Sequence, residues 1–105
     1  MDIDKLKEIL KKDSMQEAVL IGSEDEREKY YPAIVECDEK KGIVVYDYDL
    51  LAECFANDFF DPSEPNADYG KAMEEAVEWI DYNVIRSLPY WGEHAPVVRE
   101  NNEEE

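Results

Sequence analysis

The stretch from Gly42 to Gly70, GIVVYDYDLLAECFANDFFDPSEPNADYG, constrains the architecture more tightly than any other part of the chain. Ile43, Val44, Val45 and Tyr46 favour a pleated, half-buried strand. That strand runs directly into a helix starting at Asp47 or Asp49, where a carboxylate caps free amides and suits the positive end of the helix dipole. Leu50, Leu51, Cys54, Phe55 and Phe59 then recur at helical spacing along one side. Pro62 stops the helix, and Asp61–Asp68 (DPSEPNAD) forms a loop that its two prolines stiffen. From Asp47 to Asp68 there are seven carboxylates (Asp47, Asp49, Glu53, Asp58, Asp61, Glu64 and Asp68) and no Lys, Arg or His. One segment therefore supplies both core and an uncompensated negative surface.

The rest of the chain divides around it. Asp2 to Lys12 predicts a helix, with Asp2 as cap, lysines in the last turn and a stripe of Ile3, Leu6, Ile9 and Leu10. Gln16–Ile21, short, apolar and closed by Gly22, predicts a strand, the alternative being an extension of that helix. Ser23–Lys29 has no apolar residue and is expected to be a solvated loop. In Tyr30–Cys37, Tyr31, Ala33, Val35 and Cys37 share one face of a predicted strand, with Pro32 marking its start or an edge. Asp38–Gly42 joins it to Ile43–Tyr46 as a hairpin. Met73, Ala76, Val77, Ile80 and Val84 define a helix from Tyr69 to about Ser87. Leu88–Val98, with two prolines, is neither helix nor central strand and is expected to wrap over the core or form a contact surface. The order is α-β-β-β-α-α: an α+β domain whose three-stranded antiparallel sheet is packed by helices. One domain over residues 1–98 is expected, followed by a disordered acidic tail, 99–105.

Charge excludes more than it selects. The chain carries 28 acids against 11 bases, a net charge of −17, and from Asp13 onward the balance is 25 acids to seven bases. Such a field opposes direct binding to nucleic acid or anionic lipid. Cys37 and Cys54 form no metal-type or redox pair and are expected to be reduced thiols. No apolar run approaches the roughly 18–20 residues that span a bilayer, and the polar start is no targeting sequence, so a cytoplasmic protein is expected. There is no phosphate loop, nucleophile elbow or His/Cys cluster, and His94 stands alone. Asp47 and Asp49, joined by Asp61, resemble half a metal site but serve equally as helix caps. The expectation is a non-enzyme without metal or cofactor.

What remains is the acidic surface. At one charge per roughly 1.7 Å of duplex axis, seventeen net charges correspond to about 29 Å of DNA, comparable to the width of a domain of this length. The acids fall in blocks: Glu24–Glu28, Asp38-Glu39, Asp47–Asp68 and Glu74–Asp81. The candidate partner-binding residues are Asp13, Asp38, Glu39, Asp61, Glu64, Asp68, Glu74, Glu75 and Glu78, and the expected partner is the basic groove of a nucleic-acid-binding protein. The alternative is a prophage structural or scaffold protein that binds its partner through the aromatic C-terminal segment, Tyr90 and Trp91.

The opening MDIDKLKEILKKD, the acidic turn at Asp38-Glu39 and the acidic region between the last two helices together resemble the anti-CRISPR inhibitors of type II-A Cas9, small acidic proteins of phages and mobile elements. The resemblance is topological and covers residues 1 to about 85. It implies a protein whose acidic turn and loops occupy the groove in which Cas9 arginines read guanines beside the target. By position, the matching residues are Asp13, Asp38, Glu39, Glu64 and Asp68. Lys40-Lys41 and the segment LPYWGEHAPVV are departures from that family.

Overall fold

The computed structural model describes residues 2–100. Helix α1 (Ile3–Leu10) starts where Asp2 accepts a hydrogen bond from the Asp4 amide and ends two residues short of the expected Lys12. A short 3-10 turn (Asp13–Met15) and an irregular stretch lead to a 3-10 helix, Arg27–Ala33. Strands β1 (Ile34–Asp38) and β2 (Ile43–Asp47) form the predicted antiparallel hairpin. Helices α2 (Tyr48–Phe59) and α3 (Tyr69–Ile80) follow, the second continuing through a π-helical turn (Asp81–Ile85) as far as the sequence pattern indicates. A 3-10 turn (Leu88–Tyr90) and strand β3 (Val97–Arg99) close the described part.

The fold is α+β with a three-stranded sheet, but the strand assignment differs at both ends. Gln16–Ile21 is not a strand. The Val19 amide donates to the His94 carbonyl and the Ile21 amide to the Tyr46 phenol at 3.0 Å, so its amides are satisfied without a ladder. The third strand is β3, which pairs parallel to β2 (Val45↔Val97, Tyr46↔Val98), so the sheet is mixed rather than antiparallel, in the order β1-β2-β3. The element order is accordingly α-β-β-α-α-β, not the α-β-β-β-α-α on which the resemblance partly rests. The segment expected to wrap over the core thus includes an edge strand, and Arg99, placed by sequence in the acidic tail, belongs to it. Glu100 follows it outside any regular element, and residues 101–105 of that tail lie outside the described residues.

The strand expected from Tyr30 starts only at Ile34. Pro32 lacks an amide proton and so cannot donate to a ladder, and the chain there is 3-10 helical instead. A register irregularity between Ile34 and Glu36 then breaks the predicted alternation, burying Ile34 and exposing Val35.

Val44 and Tyr46 of β2 point into the main core, with Leu6 of α1 and Leu51 and Phe55 of α2. Helices α2 and α3 pack on each other, with Phe55 against Trp79, and each also turns two alanines into the core, Ala52 and Ala56 from one, Ala72 and Ala76 from the other. The ends of both helices, and the loop between them, are fixed by this packing. Among the described residues, no helix is long and apolar enough to cross a membrane.

Candidate partner-binding surface

The hairpin β1–β2 and the turn after α1 bring Asp13, Asp38 and Glu39 into one neighbourhood. Glu39 accepts from Ser14 Oγ and pairs with Lys12 Nζ at 3.3 Å. Asp38 Oδ1 accepts from the Lys40 and Lys41 amides, both at 3.1 Å, which fixes the turn. Two of these three carboxylates are therefore engaged within the chain. Gly42 ends the turn at φ +67°, and the carbonyl of this buried glycine lies 3.2 Å from His94 Nδ1, the donor when that nitrogen carries the proton. Lone His94 thus ties the C-terminal segment to the hairpin.

The second neighbourhood is built by the α2–α3 connection. Phe60 leaves α2 in an extended conformation, and every residue from Asp61 to Gly70 is exposed. Asp61 Oδ1 accepts from the Ser63 amide at 3.0 Å and from Ser63 Oγ at 2.6 Å. These bonds hold its carboxyl below the usual carboxylate range. Asp68 caps α3, accepting from the Gly70 and Lys71 amides. A groove of about 280 Å³ is lined by Asp61, Glu64, Asp68 and Glu75, with Lys71 at its wall and Phe59 and Phe60 at its base. Glu74 and Glu78 flank a shallower apolar depression on α3 formed with Met73 and Val77. Of the nine predicted residues, six thus gather on the α2–α3 end and three at the hairpin, and no hydrogen bond or ion pair links the two groups among the described residues.

Ion pairs are few and exposed. Among the described residues, Glu17, Glu28, Glu36, Glu39 and Asp58 have a cationic or histidine partner, whereas Asp61, Glu64, Asp68, Glu74, Glu75 and Glu78 have none. Asp47 Oδ1 accepts from the Leu50 amide at 2.9 Å, the capping role that competes with the metal reading. Among the described residues, no group of three or more His, Cys, Asp or Glu is placed to hold a metal ion. Cys37 and Cys54 are free thiols, and burial followed by nearby carboxylates pushes both up, towards the protonated form.

Sequence reasoning missed an aromatic flank beside the acidic end. Phe55 stacks with Tyr30 and meets Trp79 obliquely, both at 4.6 Å between ring centres, with Phe59 farther out. Trp79 remains 40% exposed. Glu26 and Asp58 rim the adjoining cavity, and the Tyr30 hydroxyl donates to Asp58. Trp79 lay in the sequence on the far side of the α3 stripe, one residue before Ile80, so its position alone suggested no site. In the C-terminal segment, Trp91 packs against the core while Tyr90 is 88% exposed. Compared with protein-family models, curated proteins and solved structures, the chain finds no match.

Proposed function

We propose that this chain is a non-enzymatic acidic ligand that occupies the basic groove of a nucleic-acid-binding protein, acting as a phage-type inhibitor of a host defence nuclease. The observation that supports it most is the α2–α3 end, where six exposed carboxylates lack cationic partners among the described residues. Asp61 and Asp68 are held by Ser63 and by the α3 amides, whereas among the described residues Glu64, Glu74, Glu75 and Glu78 have no internal partner and can exchange water for an arginine without giving one up. Shape is compatible. The molecule measures 48 × 29 × 26 Å, and 48 Å of duplex carries about 28 phosphates. Residues 2–100 carry 25 acids against 11 bases, a net charge of −14, about half of that charge over the same length. The protruding aromatics, Trp79 and Phe59, give such a contact an apolar centre beside its charges.

Cas9 is the target that the sequence resemblance names. The test is cleavage of a target duplex by a purified type II-A Cas9–guide complex, and by a panel of other nucleases, with increasing amounts of this protein. Inhibition that duplex DNA relieves, and that weakens steeply with salt, supports the reading. The quadruple variant E64Q/E74Q/E75Q/E78Q should lose it. Absence of binding to every basic groove tested, at low salt, sinks the idea. The competing scaffold reading draws on exposed Tyr90. It predicts binding that persists at high salt and is lost in Tyr90→Ala, a substitution that spares the core, unlike one at Trp91.

A further inference from the structure

Three of the chain's eleven cations lie together. Lys7 of α1, Lys11 at its C-terminal cap and Arg27 of the 3-10 helix border one half-open cavity of about 380 Å³, opposed by a single carboxylate, Glu28. Its apolar wall is formed by Leu10, Met15, Leu20 and Tyr31. Lys7 pairs with Glu28 at 3.1 Å, whereas Lys11 and Arg27 have no ion pair among the described residues. Arg27 Nε is buried and has no hydrogen-bond partner, the one buried side-chain N or O atom so placed among the described residues. A guanidinium N–H withdrawn from water and left unmet is costly, so Arg27 gains by turning its guanidinium towards an oxyanion that enters the cavity. Two surplus positive charges in a protein of net charge −17 run against the rest of its surface.

We infer that this cavity binds a small organic anion, its carboxylate or phosphate held by Arg27 and Lys11 and its apolar body laid on Leu10, Met15 and Leu20. The volume fits the lower range of small-molecule pockets, which pair apolar walls with a few placed polar groups. The carboxylate and phosphate forms share this chemistry, and the experiment separates them. The inference does not depend on the proposed inhibitor role, and its salt response has the opposite sense. The distant carboxylates repel an anion and are screened by salt, while contact with a half-buried arginine is screened less. Affinity should therefore hold steady or rise between low and moderate salt.

The test titrates isotope-labelled protein with benzoate, phenyl phosphate, inorganic phosphate and neutral benzyl alcohol, following backbone amides and the Arg27 Nε–H resonance. Saturable shifts at Arg27, Lys11 and Leu20 with benzoate or phenyl phosphate, and weaker ones with the other two, are expected; whichever of the aromatic anions binds more tightly identifies the head group. Arg27→Met should weaken binding at least about tenfold, the loss of one charge-assisted hydrogen bond. Lys11→Gln, at an exposed position just past α1, gives the same direction of change in a protein whose fold is untouched. No saturable shift, equal binding of benzyl alcohol, or undiminished binding by both variants overturns the inference.

Discussion

Ser63 gives its hydroxyl and its amide to Asp61, so the local pKa of that carboxyl is set by one neighbour. In Ser63→Ala the Asp61 carboxyl should titrate nearer the usual carboxylate range, a shift that a carbon-detected pH titration reads directly. Tyrosines respond at the other end of the scale. Burial, then the charge of Asp58, pushes Tyr30 up to about 12; burial, then the hydrogen bond to Asp81 at 2.8 Å, pushes Tyr48 up to about 12. Burial also drives the fully enclosed Tyr46 phenol far above its ordinary value. Above about pH 10 the unfolded chain gives up phenolic protons that the folded chain keeps, so it binds fewer protons and stability falls as pH rises. The contribution is complete below pH about 10 and is lost as pH climbs through about 12. Urea midpoints measured from pH 8 to 12 should show this decline, with a gentler slope in Tyr48→Phe. Gly42 is more sensitive still. Its φ is +67°, and a Cβ there would lie 2.9 Å from the Ser14 carbonyl oxygen, so Gly42→Ala should cost more than about 1 kcal/mol in equilibrium denaturation.

Helices α2 and α3 each bury two alanines in the core, which makes those positions intolerant of bulk. Ala76→Leu should destabilise by about 1–3 kcal/mol, while Glu78→Ala, two residues on at an exposed position, should stay within about 0.5 kcal/mol by thermal or chemical denaturation. These helices were also the most legible elements in the sequence. Asp2 and Asp47 begin their helices as caps, as read, a local signal that needs no tertiary context; Asp68, read only as a loop acid, caps α3 in the same way. Gln16–Ile21 was illegible for the opposite reason: its amides are satisfied by a tyrosine hydroxyl and a histidine carbonyl that lie far along the chain. Val97–Arg99 is too short to announce a strand, and it earns that state by lying along β2. The acidic candidates were readable as charges, but their division into two groups depends on the path of the chain. Arg27 was hidden in a run, SEDEREK, whose composition reads as solvent-facing throughout.

At the scale of the molecule, seventeen net negative charges repel one another in the folded state. Raising ionic strength from about 0.01 M to about 1 M shortens the screening length from about 30 Å to about 3 Å. Thermal melts should therefore shift upward with sodium chloride, the reverse of what a fold held by surface ion pairs would show. The placement of β3 adds a kinetic side to this. The central strand β2 finds β1 across a tight turn, but its other edge waits for residues about fifty positions downstream. Closing that longer loop costs about 2 kcal/mol more chain entropy than closing the hairpin. The β2–β3 ladder should then form late and open early, leaving Val45–Asp47 briefly as a bare edge that a second chain could extend. The charge that weakens the native state is also what keeps two such opened chains apart, so the salt that raises the melting temperature should at the same time hasten self-association.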